Sequence, residues 1–259
     1  MVSTKRFRGL LNRYDSLMKI LVTIPVYNEA HQLAKQLEIL NSFLEENDEI
    51  KELFDFEVVD NNSTDETLLI LKKASMRYNW LKFQHINIKG VGAALQQSWI
   101  ATGYTHFGYM DLDFATPLST LCQIPTYLGT NTMVVGSRFL PESLVIGRNW
   151  RRRIASWGLN RFARIFFANE LTDLMCGFKF INSKSYRDIF KYLTKNSGWF
   201  HCAEILITVN HFNMAVKEVP VVWTDSTHSN VRIFSLSVEY FLDMIDAKKN
   251  LKCISLDKT

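Results

Sequence analysis

Short apolar runs alternate along the chain with stretches of helical periodicity. Residues 19–24 form a continuous β-prone run, the pattern of a strand covered on both faces. Leu33, Leu37, Leu40 and Leu44 then recur on one helical stripe. Residues 55–59 predict a second strand, and Ser63 or Thr64 stands where it can cap a helix carrying Leu68, Leu71 and Ala74. Residues 80–83 are a shorter third strand, and residues 89–94 open another helix. Residues 107–110 and 132–135 supply the fourth and fifth strands. Strands and helices alternating at this spacing predict βαβ units, and so an α/β fold with a mostly parallel central sheet flanked by helices.

Past Phe139 the texture changes. Residues 141–147 have loop character, and residues 148–167 are basic and aromatic together. On a helix, Ile154, Trp157, Phe162, Ile165 and Phe166 fall roughly on one side, with Arg153, Arg161 and Arg164 around the flank. That pattern suits a segment lying in a membrane interface, and equally a sheet-covering helix whose arginines snorkel outward. Strand character returns at 173–180, and helical patterns follow at 185–194 and 200–212. A late strand at 216–223 contains Pro220, which favours an edge position, and an amphipathic helix closes the chain at 235–251. The expected organisation is a basic arm over 1–17, one domain over 18–235 with halves meeting at residue 139, and a C-terminal helix and tail over 236–259.

Composition narrows the classes. Hydrophobic residues make up 47% and charged residues 22%, which is globular and not disordered. The formal charge of +4 is modest, and the basic residues carry no reader motif, which argues against nucleic acid as a partner. Cys122, Cys176, Cys202 and Cys253 are scattered without C-x-x-C spacing, against a zinc site or disulfide framework and in keeping with a reducing compartment. No run approaches the roughly 18 to 20 apolar residues of a spanning helix, so a cytoplasmic protein, soluble or peripheral, is expected.

The chemistry gathers at strand ends. Asp111 and Asp113 leave the carboxyl end of the fourth strand, ahead of Pro117, a residue suited to the first position of a helix. Residues at i and i+2 of extended chain point the same way, so both carboxylates can reach one hard cation that clamps a diphosphate. Loops 25–29, 60–67, 89–94 and 111–117 follow successive strands and, in a parallel sheet, open on one edge. Tyr27 can stack on a base, and Asp60 and Asn61 can hydrogen-bond a pyrimidine edge or ribose. Gly90 and Gly92 allow close backbone approach, at a helix N-terminus that favours anionic oxygens.

Several segments together resemble family 2 glycosyltransferases of GT-A fold, over residues 18–235. They are Ile24-Pro-Val-Tyr-Asn-Glu29, Val59-Asp-Asn-Asn-Ser-Thr-Asp65, Lys89-Gly-Val-Gly-Ala93, Asp111-Leu-Asp-Phe-Ala-Thr116, Gly136-Ser-Arg138, Asp173-Leu-Met-Cys-Gly-Phe-Lys179 and Glu218-Val-Pro-Val-Val-Trp223. The later ones resemble the polyprenyl-phosphate group, dolichyl-phosphate glucosyltransferases above all. The resemblance implies inverting, metal-dependent transfer of glucose or a related hexose from a nucleotide sugar, UDP-linked in preference to GDP-linked. The acceptor would be a polyprenyl or dolichyl phosphate at the cytoplasmic membrane face. It also implies roles: Pro25, Tyr27, Glu29, Asp60, Asn61, Lys89, Gly90 and Asp111 would line the nucleotide, in a donor half spanning 18–139. Asp111 and Asp113 would hold Mg²⁺ or Mn²⁺. Arg138, Arg152, Ser156 and Lys179 would receive the acceptor phosphate in the half spanning 140–235, and Asp113, Arg138 and Arg152 would carry the catalysis.

The chain departs from that family pattern at four places, one of them the glycine-rich stretch, where Val91 and Gln96 stand in place of further basic residues. Asn61 stands where a second acid is common, His201-Cys-Ala-Glu204 keeps only its final Glu, and Thr227-His-Ser-Asn230 replaces a Gly-Ser-Lys, leaving His228 or Arg232 as the basic contact. Two other readings stay open. One is a soluble family 2 enzyme acting on a glycan, protein or small-molecule hydroxyl, with Glu204 as its base. The other is a nucleotide-sugar-binding protein without turnover.

Overall fold

The computed structural model describes residues 18–225 and 233–256, with backbone alone for residues 151–152, 233–239 and 253–256. The arm expected over 1–17, the 227–230 segment with His228, and Arg232 lie outside the described residues. The elements run β1 (Ile20–Val26), α1 (Leu33–Glu45), α2 (Asp48–Leu53), β2 (Phe54–Asn61), α3 (Thr67–Arg77), β3 (Leu81–Ile86), α4 (Val91–Ser98) and β4 (His106–Met110). A 3-10 turn (Leu118–Gln123) leads into α5 (Ile124–Leu128) and β5 (Met133–Ser137). Then come β6 (Leu144–Ile146), α6 (Trp150–Phe167), β7 (Phe178–Asn182), α7 (Ser183–Phe190), α8 (Phe200–His211), β8 (Val216–Pro220), β9 (Val222–Thr224) and α9 (Ile233–Leu256).

Seven strands form one sheet in the order β3-β2-β1-β4-β7-β5-β8, and β6 pairs with β9 in a separate ribbon. β1 to β4 are mutually parallel, as the alternating pattern requires. β7 runs antiparallel to both β4 and β5. The chain leaves β5 at the carboxyl edge, builds β6 and α6, and re-enters the sheet from that same edge.

Helices cover both faces. Ile20, Val22, Ile24 and Val26 pack with Leu33, Leu37, Leu40 and Leu44 of α1 on one side. Leu21, Phe107 and Tyr109 pack with α4, α8 and α9 on the other, where Tyr240, Met244, Ala247 and Leu251 bring α9 into the same core. α8 is buried all round from Phe200 to Thr208, as expected of a helix without a polar face. A polar strap fixes α4 to the sheet: the Ser98 hydroxyl donates to Glu57 Oε2 at 2.5 Å, lies 2.6 Å from the Thr23 hydroxyl, and Trp99 Nε1 donates to that same hydroxyl at 3.1 Å.

Four local expectations change. Neither Ser63 nor Thr64 caps α3; the Ser63 hydroxyl instead accepts from Asn28 N, and the Thr67 amide donates to Asp65 Oδ1. Pro117 has extended ψ and precedes a 3-10 turn, one position ahead of the helical residue expected. Residues 141–147 contain a strand, β6, because β9 offers it a partner. The strand foreseen over 173–180 begins only at Phe178, since the Asp173 carboxylate turns the backbone by accepting from Met175 N. Pro220 does end an edge strand, and the late strand breaks after it into β8 and β9.

Candidate active site

β1, β2, β3 and β4 release their loops on one edge, and Asp111 follows directly from β4. Tyr109 donates its hydroxyl to Asp111 Oδ1 at 2.5 Å. Gly177 lies against the other oxygen, so closely that a Cβ there would sit 1.8 Å from Oδ2. Burial, and then the charge of Asp113, push the Asp111 carboxyl up to about 7. Asp113 Oδ1 accepts the Ala115 amide at 3.1 Å, which turns the loop. Of the two carboxylates, Asp111 borders a narrow cleft lined also by Phe114, Thr116, Gly177, Phe178 and Trp223. A carboxylate pair that resists full ionisation is a donor set a hard divalent cation relieves. Among the described residues no cluster of three or more His, Cys, Asp or Glu forms a complete protein cage, so a cation here would share its coordination with ligand oxygens and water.

Cationic groups stand beside this pair. Arg138 makes a bidentate ion pair with Asp173, at 2.7 Å from Nε and 2.9 Å from Nη2. Its guanidinium also lies 4.9 Å from the Trp223 ring. Burial alone would lower the Arg138 pKa; the Asp173 charge outweighs it and holds the guanidinium above its ordinary value. Burial would raise Asp173, and Arg138 holds it below the usual carboxylate range. Lys179 is buried on β7 between Tyr109 and Val135, and its ammonium donates to the Cys176 carbonyl. Both Arg138 and Lys179 are near enough to Asp111 to draw its pKa down against the burial effect. Ser156 is half-buried on α6, where its carbonyl accepts from Asn160 Nδ2. Arg152 lies on α6, its side chain outside the described atoms.

On the donor side, the Lys89 ammonium lies 3.9 Å above the Tyr27 ring. Pro25 pairs in register with Val59 inside the sheet, and Glu29 accepts from Gln32 Nε2 at 2.5 Å. Asp60 is wholly buried: Oδ1 accepts the Ser63 amide and Oδ2 sits 2.6 Å from His85 Nδ1. Asn61 Oδ1 is buried beside it without a hydrogen-bond partner. Gly90 has φ +134°, and a Cβ there would meet the Ser197 carbonyl oxygen at 2.0 Å. The close backbone approach foreseen for a ligand is thus made by the chain's own 196–198 loop. The Gly92 and Ala93 amides, expected to face anionic oxygens, donate instead to Gly198 O and Ser197 O at 3.1 Å each. Glu204 is buried on α8, where its Oε1 accepts the Thr194 amide at 2.7 Å.

Asp173 and His85 are the partners the sequence reading missed. Pairing β3 with β2 in a parallel register sets His85 opposite Asp60, so a strand alignment could have found it. Nothing local marks Asp173 as the counter-ion of Arg138.

α6 exposes large apolar side chains: Trp150 is 64% accessible, Trp157 58% and Ile165 70%, with Arg153 and Arg161 exposed among them. Its buried positions include Asn160, whose Oδ1 accepts the Leu174 amide, and Ala163. No helix of the described residues is long and apolar enough to cross a membrane.

Comparison with known proteins places this geometry. The profile of glycosyl transferase family 2 matches residues 21–190. The chain is 26% identical over 251 residues to the dolichyl-phosphate beta-glucosyltransferase of Saccharomyces cerevisiae, covering 89% of this chain and 74% of that protein. It is 24% identical over 212 residues to the undecaprenyl-phosphate mannosyltransferase of Micrococcus luteus, covering 80% and 84%. Among solved structures it resembles Mycobacterium tuberculosis glucosyl-3-phosphoglycerate synthase in complex with Mn²⁺, UDP and glucosyl-3-phosphoglycerate. The TM-score is 0.63 at 15% identity, over 89% of this chain and 80% of that one. The expected fold, a GT-A α/β architecture, is the one observed.

Proposed function

Because this chain belongs to glycosyl transferase family 2, and is therefore a glycosyltransferase of the hexosyl class, we propose that it moves glucose or a related hexose from a UDP-sugar to a polyprenyl or dolichyl phosphate. The observation that carries this reading is the carboxylate pair Asp111 and Asp113 set beside Arg138, whose side chain is 7% exposed, and buried Lys179. That arrangement offers a cation site and an anion site at one strand edge. Asp111 and Asp113 would hold Mg²⁺ or Mn²⁺, which when bound would neutralise the leaving diphosphate. Lys89 and Tyr27 would flank the nucleotide, with His85 and Asp60 at its base. Arg138, kept in place by Asp173, and Lys179 would hold the acceptor phosphate, joined by Ser156 and Arg152 of α6.

A phosphate monoester is already an anion at neutral pH, so attack on the anomeric carbon needs no strong base. What remains is alignment and charge stabilisation, and in-line displacement inverts the centre. Glu204 favours this acceptor over a hydroxyl: it is 1% exposed and engaged with the Thr194 amide, poorly placed to take a substrate proton. The exposed aromatic and basic face of α6 would provide peripheral contact with the cytoplasmic face of a membrane.

The test mixes the purified protein with Mg²⁺ or Mn²⁺, dolichyl or undecaprenyl phosphate, and labelled nucleotide sugars one at a time. Label entering the organic phase from one donor, and absent with Asp113→Asn, is expected. No label from any pairing would overturn the lipid-phosphate acceptor.

A further inference from the structure

The β6/β9 ribbon has two unlike faces. Side chains alternate along a strand, and here the register pairs Val145 with Trp223 on the inward side. Both pack against the main core, and Trp223 roofs the candidate cleft and stacks on Arg138. The outward side carries Leu144, Ile146 and Val222, exposed by 54%, 46% and 43%, beside exposed Thr224. An alternating strand normally turns polar residues to water, so three aliphatic residues there point to another apolar phase. The ribbon is also tied to the carboxylate loop, since the Thr224 amide donates to Ala115 O at 2.9 Å. Four residues beyond Ile146 begins α6, which exposes Trp150, Ile154 and Trp157 in its turn.

We propose that the outer face of the β6/β9 ribbon is a bilayer contact, seating the catalytic edge on a membrane that carries anionic phospholipids. The inference rests on the reading of a lipid phosphate as acceptor, and adds the surface by which the enzyme meets it. A strand of three residues is roughly 10 Å long, comparable to the depth of about 5–10 Å reached by interfacial segments. Arg153 and Arg161, exposed on the helix that follows the ribbon, would meet lipid phosphates. A second copy of the chain fits less well. The three exposed aliphatic side chains of the ribbon are far fewer than the roughly 20 to 30 residues a side of a stable interface.

The test compares wild type with the Leu144→Ser/Ile146→Ser/Val222→Ser variant on phosphatidylcholine vesicles containing about 30% phosphatidylglycerol. The variant is expected to bind these vesicles at least about 5-fold more weakly. KM for dolichyl phosphate embedded in them should rise about 10-fold, with kcat unchanged. Transfer to a detergent-dispersed short-chain polyprenyl phosphate should stay at the wild-type rate. Should the triple variant lose its cooperative melt, Val222→Ser alone carries the comparison, with a smaller shift in the same direction. Vesicle binding equal to wild type in a folded variant would overturn the proposal. So would a wild-type dimer, seen by light scattering, that the substitutions dissolve. If wild type bound vesicles through this face yet transferred sugar to neither acceptor, the acceptor reading would fall and the surface would stand.

Discussion

Gly177 shows how little room the carboxylate loop leaves. A methyl group there would fall 1.8 Å from Asp111 Oδ2, so Gly177→Ala must displace a carboxylate that Tyr109 otherwise holds. A displacement near 1 Å at a reacting centre costs roughly 100-fold in rate. Gly177→Ala is therefore expected to lower kcat by about that factor while circular dichroism stays unchanged; a variant of normal kcat would show that Asp111 has no part in the reaction. Asp173→Asn removes the counter-charge of buried Arg138, a change that typically costs about 3–5 kcal/mol. Urea unfolding should show a loss of that size, and a neutral result would mean that Arg138 finds another partner or reaches water. At this scale the sequence was legible for placement, since Asp111 and Asp113 follow the end of β4 as its apolar run requires. It was not legible for Asp173, which lies 35 residues from Arg138, or for His85, 25 residues from Asp60, because only sheet order brings those pairs together.

Elements with strong periodicity were also readable, and short ones were not. The leucines of α1 all bury on one stripe, as their spacing requires. β6 escaped notice because three residues carry no period of their own and their partners come 78 positions later. α6 was readable as basic and aromatic, yet its inversion, with Asn160 buried and Trp157 exposed, emerges only from the Leu174 amide that Asn160 satisfies. A charged knot joins four neighbouring strands or their flanks: Asp55 on β2 receives Lys82 from β3 at 2.6 Å, Lys19 at 2.9 Å and the Tyr104 hydroxyl at 2.8 Å. Burial would raise the Asp55 pKa, but these partners hold it at about 2. A depressed carboxyl contributes its stability fully above its unfolded value of about 3.8 and loses it as pH falls through about 2. His106, lowered by burial to about 4, acts in the same direction between its ordinary 6.5 and that value. Asp111, pushed up to about 7, acts the other way over much of that range, so the net drop of thermal melts on acidification should come mainly below about pH 4. In Asp55→Asn that drop should be shallower than in wild type, with Asp173 supplying the rest, and an unchanged drop would remove Asp55 from the account.

Across the whole molecule, four parallel strands deliver their loops to one edge and the antiparallel β7 brings Lys179 back to them. A ligand that binds only this assembled edge should stabilise the entire fold, by about 2.7 kcal/mol at a concentration one hundred times its dissociation constant. UDP with Mn²⁺ is expected to raise the melting temperature, and Asp113→Asn to abolish most of the rise. An equal rise with the variant would place the nucleotide elsewhere. The parallel sheet was foreseeable from the βαβ rhythm, whereas the reversal of β7 was not, since it depends on where the chain re-enters after α6.

The Gly90–Gly92 segment leans on carbonyls from residues 197 and 198, and Glu204 on α8 anchors the same turn through Thr194. The glycine-rich loop is thus finished by residues made more than a hundred positions later. During synthesis, the first half emerges before the residues that complete this loop exist. The nascent enzyme should stay silent on the ribosome until α8 has cleared the exit tunnel.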